Sequence, residues 1–367
     1  MKIAITGSSG FLAYHVRCQL LKFKDIEVVL TSQQNFENVT VLSQMLDGCD
    51  AIFHLAGMNR GVDQEIYDVN IRITNNLIEA LRQNKSKAHV VFSSSTHILK
   101  ETLYGQSKKK CAELLRYWSH ESGAQFTEVI IPHIFGEFGR PNYNSAVATF
   151  CSQLAQEQNC EIKNDVELEL IHAGDVARKF IDIVQAKIFG VCHLSGHKIK
   201  VSEVVTLLQH MNAQYRNQII PQFKNEFELK LFNTLRSYLF PQFYPQKIKL
   251  NSDHRGHLLE LVKTIHGGQS FISFTLPGKM RGNHYHYSKI ERFCVVSGQA
   301  SIKLRKLLTN DVVEFTVNGD SPCYVDMPTL YTHNITNTGQ NELVTVFWSH
   351  EIFDPENSDT YAESVQI

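Results

Sequence analysis

The sequence lacks the features by which several classes of protein are recognised. Its eight cysteines include no Cys-x-x-Cys pair and form no compact framework, so reduced thiols are the simple expectation. No apolar run approaches the roughly 20 residues that a membrane span needs. Lys2 to Thr6 already read as a strand, which leaves no room for a signal peptide. We expect a cytoplasmic protein that does not insert into a membrane.

An excess of charge of one sign is also missing. The 36 lysines and arginines nearly balance the 37 aspartates and glutamates, so no net field attracts the chain to nucleic acid or to an anionic membrane. We expect no nucleic-acid partner. There is no internal repeat and no low-complexity tract. A single hydrophobic core rarely extends over a chain of 367 residues, so the length predicts two domains.

Two patterns follow one another along the chain. Up to about Leu208, short apolar strands alternate with helical segments, which is typical of a parallel sheet covered on both faces. Helical spacing continues over 227–239, and two prolines within 240–246 then interrupt it. Beyond them, short strands separated by turn residues predict an antiparallel barrel. The predicted fold class is α/β plus all-β: a Rossmann-type doubly wound parallel sheet in 1–244 and a jelly-roll β-barrel in 245–367.

The turn after the first strand carries the first functional signal. In TGSSGFLA, Gly7 and Gly10 allow a tight turn and a close approach of a pyrophosphate to a helix N-terminus, and Ala13 takes the place of the third glycine. The second strand ends in Thr31 and Ser32, with no Asp or Glu to hold a ribose 2′-hydroxyl and no Arg or Lys for a 2′-phosphate. The missing acid favours NADPH as cofactor.

A second signal is the pair Tyr104-x-x-x-Lys108, which follows a serine triplet at the end of a strand. Residues i and i+4 share one face of a helix, so the Lys108 ammonium can favour the phenolate and lower the pKa of Tyr104. Ser95 can donate a hydrogen bond to the carbonyl that Tyr104 protonates. The same spacing often arises by chance, but in register with TGSSGFLA and HLAG it predicts a site for ketone reduction.

Through TGSSGFLA, DAIFHLAG, Asn70 with Thr74, SSS and YGQSK, roughly residues 1–240 resemble the extended short-chain dehydrogenase/reductase family. The resemblance implies a catalytic set of Ser95, Tyr104 and Lys108, with Asn70 supporting a proton relay. It implies that the cofactor is bound by Thr6, Gly7, Gly10, Phe11, Leu12, Ser32, Leu55, Ala56, Gly57, Asn70 and Lys108. It also places RPNYNSAVATF (140–150) beside a nucleotide sugar, and the expected substrate-binding residues are Asn144, the best candidate for a UDP contact, Arg140 and His133.

Two departures from that family are visible. Only nine positions separate Ser95 from Tyr104, so the intervening loop is short and the pocket is expected to be unusually open. His133 stands where the family commonly has Asn. Both departures lie close to the predicted catalytic tyrosine.

A cluster of ligand-type residues occupies the second half of the chain. His284 and His286 lie two apart on a predicted strand and therefore project to one face. Glu291 begins the next strand, and His333 follows farther along the barrel. Three imidazoles and one carboxylate suit one divalent metal per chain, with zinc first and iron, manganese or nickel as other choices.

The spacing of these residues resembles the cupin family. Gly278-x5-His284-x-His286-x4-Glu291-x6-Gly298 matches the first cupin motif, whereas the second has Leu330 where glycine is usual. Satisfied core histidines are the plain alternative. Another is a metal-free cupin that epimerises 4-keto deoxysugar nucleotides, which DHRGHLLEL (253–261) also resembles. In those enzymes the residue matching His284 is a general base.

A 4-keto sugar would connect the two predicted sites. Its carbonyl acidifies the hydrogen on C3, which a base can remove and return from the other face, and the same carbonyl can be reduced by hydride. The pairing resembles the two-domain nucleotide-sugar enzymes of capsular-polysaccharide synthesis. The resemblance implies a UDP-activated 4-keto-6-deoxy amino sugar as partner, epimerisation at C3, and reduction with NADPH to UDP-N-acetyl-6-deoxy-L-talosamine. It also implies a homodimer formed through the cupin domains.

Two other functions stay open at this point. The cupin domain could be a metal-stabilised dimerisation module attached to a simple 4-ketosugar reductase. It could also be a metal-dependent oxygenase fused to a nucleotide-sensing fold, although the intact Tyr104 and Lys108 favour reduction.

Overall fold

The computed structural model describes residues 1–248, 250–253, 256–259, 261–264, 267–351 and 354–366. Three residues of DHRGHLLEL, namely His254, Arg255 and Glu260, lie outside the described residues. By their contacts, the residues divide into two compact units. The first is Met1–Thr149 with Asn164–Val201, and the second is Phe150–Lys163 with Ser202–Ile367.

The first unit contains nine of the described strands. They are β1 (Lys2–Thr6), β2 (Glu27–Leu30), β3 (Ala51–His54), β4 (His89–Ser95), β5 (Phe126–Ile131), β6 (His133–Phe135), β7 (Glu167–His172), β8 (Gly190–His193) and β9 (His197–Lys200). Six form a parallel sheet in the order β2-β1-β3-β4-β5-β8, and β6-β7-β9 form a small separate sheet. The predicted parallel, doubly wound sheet is confirmed.

Helices cover both faces of this sheet. They are α1 (Phe11–Leu20), α2 (Val39–Leu46), α3 (Asp63–Gln83), α4 (Leu103–Ser122), α5 (Ala146–Ala155), which continues into the second unit, and α6 (Ala173–Gln185), with short 3-10 helices at Gln34–Glu37 and Thr96–Leu99. Successive residues of a strand point to opposite faces, so Ile3 and Phe53 share a core with α1 and α6, whereas Ala4 and Ile52 share one with α2, α3 and α4.

The second unit contains the other described strands, most of which pair antiparallel. They are β10 (Ile219–Ile220), β11 (Gln246–Lys247), β12 (Leu250–Asp253), β13 (Gly256–Leu259), β14 (Lys263–Thr264), β15 (Gln269–Thr275), β16 (Met280–Tyr285), β17 (Glu291–Ser297), β18 (Gln299–Lys306), β19 (Val312–Asn318), β20 (Cys323–Met327), β21 (Tyr331–Asn337), β22 (Leu343–Ser349) and β23 (Tyr361–Ala362). Two five-stranded sheets, β11-β20-β17-β22-β15 and β19-β18-β21-β16-β23, dominate it. The all-β part of the predicted fold class is confirmed.

Two helices also belong to the second unit, α7 (Val201–Arg216) from its second residue and α8 (Glu226–Leu239). Their anchor is the buried carboxylate of Asp326 on β20, which accepts hydrogen bonds from Arg292 at 2.7 and 3.0 Å and from the Tyr215 hydroxyl of α7. Arg236 of α8 donates to the carbonyl of Met327. Charged hydrogen bonds of this kind are strong when buried. The predicted domain boundary at 244/245 stays a prediction. The two compact units are defined by contacts between residues, and this division does not test a boundary drawn along the sequence.

Within the described part of the chain, no helix is both long and apolar enough to cross a membrane.

Candidate active site and metal centre

The turn after β1 requires glycine. Gly7 has a φ of +66°, and a Cβ added there would lie 2.8 Å from the Cα of Ala56, which is closer than real Cβ contacts allow. The Gly10 amide donates to the Gly7 carbonyl at 2.9 Å, and α1 begins at Phe11. The first amide groups of a helix have no partner within the helix and favour an anion. The turn therefore has the geometry that suits a phosphate, and its role in binding one stays a prediction.

Thr6 holds the neighbouring turn together. Its buried hydroxyl oxygen accepts from the amides of Leu55 and Ala56 at 3.1 Å each and lies 2.9 Å from Nδ1 of His54. Burial lowers the pKa of His54 to about 3, with Lys108 as a smaller cause, so this imidazole is neutral at pH 7. Among the predicted cofactor-binding residues, Thr6 thus shapes the turn that carries Leu55 and Ala56.

Asn70 and Lys108 lie beside Gly57. The Asn70 side chain accepts from the Met58 amide at 2.6 Å and donates to the Met58 carbonyl and to Ser107 Oγ at 2.9 and 3.0 Å. A Cβ added to Gly57 would lie 3.2 Å from Asn70 Oδ1 and 3.5 Å from Lys108 Nζ. Because Gly57 has no side chain, the side-chain groups of Asn70 and Lys108 can both lie close to its backbone.

Ser95 acts as a side-chain hydrogen-bond partner of Tyr104 and lowers the pKa of its hydroxyl, and the joint action of the two residues on one carbonyl stays a prediction. The predicted effect of Lys108 on the phenol is wrong for this structure. Burial raises the pKa of Tyr104, and Ser95 offsets only part of that rise. Lys108 Nζ instead donates to the Ser93 carbonyl at 2.9 Å. Burial lowers the pKa of Lys108 to about 8, so the ammonium still predominates at pH 7.

The short interval between Ser95 and Tyr104 depends on Gly105. The 3-10 helix Thr96–Leu99 folds directly onto the start of α4, and a Cβ on Gly105 would lie 2.2 Å from the His97 carbonyl oxygen and 2.8 Å from that of Lys100. No such approach is possible for another residue without displacement. Gly105 therefore lets the strand end and the helix start come close enough for the Ser95–Tyr104 contact.

His97 is a candidate functional residue that sequence reasoning missed. Its ring lies 5.7 Å from that of Tyr104 and 5.7 Å from that of His133. Burial lowers the pKa of both histidines, with Lys100 as a smaller cause. One neutral imidazole, His97, therefore lies beside the phenol, and a second, His133, lies beside His97. The only signal in the sequence was a histidine inside the short Ser95–Tyr104 interval.

The predicted substrate segment carries a cluster of cations. Arg60 donates to the carbonyls of Asn142 and Tyr143 at 2.5 and 2.8 Å, and the guanidiniums of Arg60 and Arg140 lie 5.4 and 5.1 Å from the Tyr143 ring centre. Asn144, the predicted UDP contact, is exposed beside them. Arg60, which the sequence analysis did not single out, thus fixes the backbone next to Asn144.

The remaining predicted cofactor-binding residues have simple placements. Phe11 and Leu12 begin α1 and are half-buried. Ser32 is exposed after β2, and its amide and hydroxyl both donate to Asn35 Oδ1, at 2.6 and 2.8 Å. Asn35 therefore fixes the turn after β2, which is where a ribose would be recognised.

The four predicted metal ligands come together in the second unit. One potential ligand atom from each of His284, His286, Glu291 and His333 lies within 4.8 Å of the others. The Oε2 atom of Glu291 is 3.9, 2.8 and 3.5 Å from Nε2 of His284, His286 and His333 respectively. The strands β16 and β21 pair at His284 and His333, and this register explains why residues 49 apart in sequence meet.

The donor set fits a divalent cation. Burial lowers the pKa of His333 to about 4, which keeps the imidazole neutral, and its buried Nε2 has no satisfactory hydrogen-bond partner. Burial alone would raise the pKa of Glu291, but the neighbouring histidines, His286 first, hold it well below its usual range. An ionised carboxylate and a neutral, unpaired imidazole nitrogen are what a metal requires.

A cavity of about 480 Å³ opens beside these ligands. It is lined by His284 and Glu291 together with mainly apolar side chains of β15, β17 and β22, among them Phe271, Phe293 and Phe347. A concave, largely apolar site with a few convergent polar groups is typical of a small-molecule site.

Known proteins resemble this chain in both halves. Residues 3–191 match the NAD dependent epimerase/dehydratase family, and residues 251–361 match the polysaccharide biosynthesis C-terminal domain. The UDP-2-acetamido-2,6-beta-L-arabino-hexul-4-ose reductase of Pseudomonas aeruginosa is 33% identical over 370 residues, which is 100% of this chain and 99% of that protein.

Solved structures agree with the sequence matches. The capsular polysaccharide assembling protein CapF from Staphylococcus aureus is 31% identical with a TM-score of 0.63, and the match covers 100% of both chains. The UDP-glucose 4-epimerase of Thermotoga maritima, with 17% identity and a TM-score of 0.55 over 66% of this chain and 99% of that one, supports the fold alone. The resemblance inferred from the sequence is confirmed over the whole chain. The protein therefore belongs to the NAD dependent epimerase/dehydratase family, in the branch of capsular-polysaccharide enzymes that carries a polysaccharide biosynthesis C-terminal domain.

Proposed function

We propose that the chain is an NADPH-dependent UDP-4-ketosugar reductase that also epimerises C3 of its substrate. The observation that carries the reductase is the hydrogen-bonded pair Ser95–Tyr104 at the carboxyl end of β4, with Lys108 one helical turn farther along α4. Carboxyl ends of parallel strands are where ligands bind in such sheets. The full-length relationship to a 4-ulose reductase supports this assignment.

Each residue of the proposed catalytic set has one task in the reduction. A bound nicotinamide cofactor would supply hydride to C4. Tyr104 donates its phenolic proton to the ketone oxygen, and Ser95 donates a hydrogen bond to that oxygen as negative charge develops on it. Lys108, whose ammonium donates to the Ser93 carbonyl and comes close to Gly57, would bind the cofactor and so position it beside Tyr104. Solvent then returns the proton to Tyr104.

NADPH is proposed over NADH because β2 ends without an acid. Thr31 is buried, and Ser32 is held by Asn35, so no carboxylate in this turn competes for a ribose 2′-hydroxyl or repels a 2′-phosphate. Steady-state kinetics with both cofactors should give a higher kcat/KM with NADPH. Equal or better use of NADH would contradict the assignment.

The substrate is proposed to be a UDP-4-keto-6-deoxy-N-acetylhexosamine. Exposed Asn144 on the segment fixed by Arg60, with Arg140 beside it, offers polar and cationic groups for UDP. His133 lies near Tyr104 through His97 and would contact the sugar. Reduction after C3 epimerisation would give UDP-N-acetyl-6-deoxy-L-talosamine for capsule or O-antigen synthesis.

The cavity of the second unit is proposed to epimerise C3. A divalent metal, zinc first, would be held by His284, His286, Glu291 and His333 and would act as a Lewis acid toward the ketone oxygen. The apolar walls contributed by Phe271 and Phe347 exclude water from the ring, which strengthens electrostatic stabilisation of the enolate.

Proton exchange in deuterated water tests the epimerase directly. Wild-type enzyme incubated with the UDP-4-keto sugar and no NADPH should introduce deuterium at C3, and His286→Ala should not. Buffer without enzyme measures spontaneous exchange. Absence of enzyme-dependent exchange would leave the alternative, a simple 4-ketosugar reductase whose second domain is a metal-stabilised dimerisation module.

Metal content separates a metal centre from a bare histidine base. Protein purified without chelators should contain about one transition metal per chain by elemental analysis. His286→Ala and His333→Ala should each lower that content and the thermal midpoint, because metal binding adds to folding free energy. Far less than one metal per chain in the wild type would leave His284 as a general base without metal.

A homodimer through the β-rich units completes the proposal. The edge strand β15 exposes Ile272 by 59% and Phe274 by 56%. An exposed apolar edge strand invites pairing with another chain, and a second copy is the proposed partner.

A further inference from the structure

We infer that Asp359 is a positioning residue of the metal centre, which clamps the loop between two ligands and orients His286. The inference rests on the proposed metal centre. It concerns a residue that is 73 positions from His286 in sequence and that carries no metal-ligand role in the proposed function.

The loop in question is 286–290, which joins β16 to β17. It begins at the ligand His286 and ends directly before the ligand Glu291. Its geometry therefore decides the distance and the direction between two of the four donors. A loop of five residues has many conformations, and something outside it must select one.

The Asp359 carboxylate makes that selection. Its Oδ1 accepts from the Tyr287 amide at 3.0 Å, and its Oδ2 accepts from the amides of Ser288 and Lys289 at 2.7 and 2.8 Å and from Ser288 Oγ at 2.9 Å. Three successive amides directed at one carboxylate fix the backbone of the loop.

The backbone of the same residue sets the tautomer of His286. Nδ1 of His286 contacts the Asp359 carbonyl oxygen at 2.5 Å. A carbonyl oxygen can only accept, so Nδ1 is the donor in this contact. Nε2, which lies 2.8 Å from Glu291 Oε2, is then the nitrogen that would ligate a metal. An imidazole that ligates a metal usually has its second nitrogen held in this way.

The chain after Asp359 reaches the other two ligands. Tyr361 and Ala362 of β23 pair with Tyr285 and His284 of β16. The Glu363 carbonyl accepts from the Thr332 hydroxyl, next to His333. Arg305 donates to the Val365 carbonyl at 3.0 Å and so holds the end of the segment. Residues 359–365 therefore contact the strands and the loop that carry the four predicted donors. Among these contacts, those of the Asp359 carboxylate can be removed by a single substitution.

The test measures metal affinity of the full-length protein. Apo wild type, Asp359→Ala, Asp359→Asn and the control Glu356→Ala are titrated with Co²⁺ and Zn²⁺ against a chromophoric chelator, and the Co²⁺ ligand-field spectrum is recorded. Glu356 lies three residues before Asp359, and its side chain is exposed. We expect Asp359→Ala to bind roughly 10- to 100-fold more weakly, as loss of an outer-shell partner does, because it removes the carboxylate that fixes the loop between two ligands while the backbone contact to His286 stays. Its Co²⁺ spectrum should also change in intensity.

Asp359→Asn keeps one acceptor oxygen for three amides, so its affinity should lie between wild type and Asp359→Ala. Glu356→Ala should match wild type. If Asp359→Ala does not fold, Asp359→Asn decides, and wild-type affinity with an unchanged Co²⁺ spectrum in either folded variant overturns the inference. A wild type that binds neither ion overturns both the proposed metal centre and the role of Asp359, and is thereby distinguished from failure of the inference alone.

Discussion

At the scale of single residues, the proposed reduction depends on a phenol whose pKa burial raises. Tyr104 keeps its proton at neutral pH and can only act as a donor there, and Ser95 is its partner. His97 lies beside the ring, and His133 lies beside His97; burial lowers the pKa of both histidines.

The first prediction is that Tyr104→Phe abolishes ketone reduction, with a loss of at least about 100-fold in kcat, because general acid catalysis contributes on that order. Exchange of the C3 proton in deuterated water should stay near the wild-type rate, since it is assigned to the other unit. NADPH oxidation and NMR of the recovered sugar measure the two activities separately. Loss of both in a folded variant would contradict the two-site proposal.

A second residue-scale feature is the buried pair Glu137–His172, with 3.0 Å between the carboxylate and Nε2. Glu137 lies in the loop before the substrate segment, and its carbonyl oxygen lies 3.1 Å from Nε2 of His15 on α1. Burial opposes ionisation of Glu137, but His172 overcomes it and lowers the pKa from 4.5 to about 2. The carboxylate is therefore more stable in the folded than in the unfolded chain.

The corresponding prediction concerns pH. Between its folded and unfolded pKa values, Glu137 binds fewer protons in the folded state, so its contribution is complete above pH 4.5 and is lost as the pH falls toward 2. Glu137→Gln should reduce the free energy of unfolding by up to about 3 kcal/mol near pH 7. The difference from wild type in urea titrations should shrink below about pH 4.5. A difference independent of pH would mean that packing, not charge, stabilises this pair.

At the scale of elements, the contact between the Thr96–Leu99 turn and α4 decides where Tyr104 lies. Gly105 is buried in that contact, and the hydroxyl of the N-cap residue Thr102 accepts from its amide at 3.1 Å. The helix start is thus fixed by a cap and by the close approach of two carbonyls, not by the propensity of α4.

Gly105→Ala should separate the turn from α4, because its Cβ would meet the His97 carbonyl at 2.2 Å. We predict a loss of at least about tenfold in the reductase kcat, since displacement of catalytic groups by about 1 Å can have such effects. Gln106→Ala, at the exposed neighbouring position, is the matched control. Unchanged kinetics in a folded Gly105→Ala protein would show that the contact does not position Tyr104.

At the scale of the whole molecule, the edge strand β15 exposes apolar side chains in the isolated chain. Ile272 and Phe274 lie two apart on the strand and so project to one face, and both line the cavity beside the predicted metal ligands. A second copy of the chain that bound to β15 would bury these two apolar side chains and the rim of the cavity.

We predict that the wild type is a dimer of about twice the 41.9 kDa chain mass in light scattering coupled to gel filtration. Ile272→Lys with Phe274→Lys should give monomers at micromolar concentration, because two buried charges oppose association. Val312→Lys, exposed on the edge strand β19 of the other sheet, should remain dimeric. A dimer that tolerates both β15 lysines would place the interface elsewhere.

The sequence by itself determined the features that depend on local spacing. Alternating and helical periodicity predicted the parallel sheet and the antiparallel barrel, because period 2 and period 3.6 decide which residues share a face. Glycine at positive φ after β1, and the closeness of His284 at the end of β16 to His286 directly after it, follow from local conformation. For that reason the clustering of His284, His286, Glu291 and His333 could be predicted from spacing along the chain, and their role as metal ligands stays a prediction.

The tertiary structure decided what depends on distant segments meeting. Burial, which no local pattern reports, raised the pKa of Tyr104 where the Tyr–Lys spacing had suggested a lower one. Tyr215 of α7 meets Asp326, and Arg236 of α8 meets the Met327 carbonyl, although these partners lie about 90 to 110 residues away along the chain. Asp359 reaches His286 across 73 residues. Spacing along a chain specifies which way a side chain points, but only the fold specifies which distant group it meets.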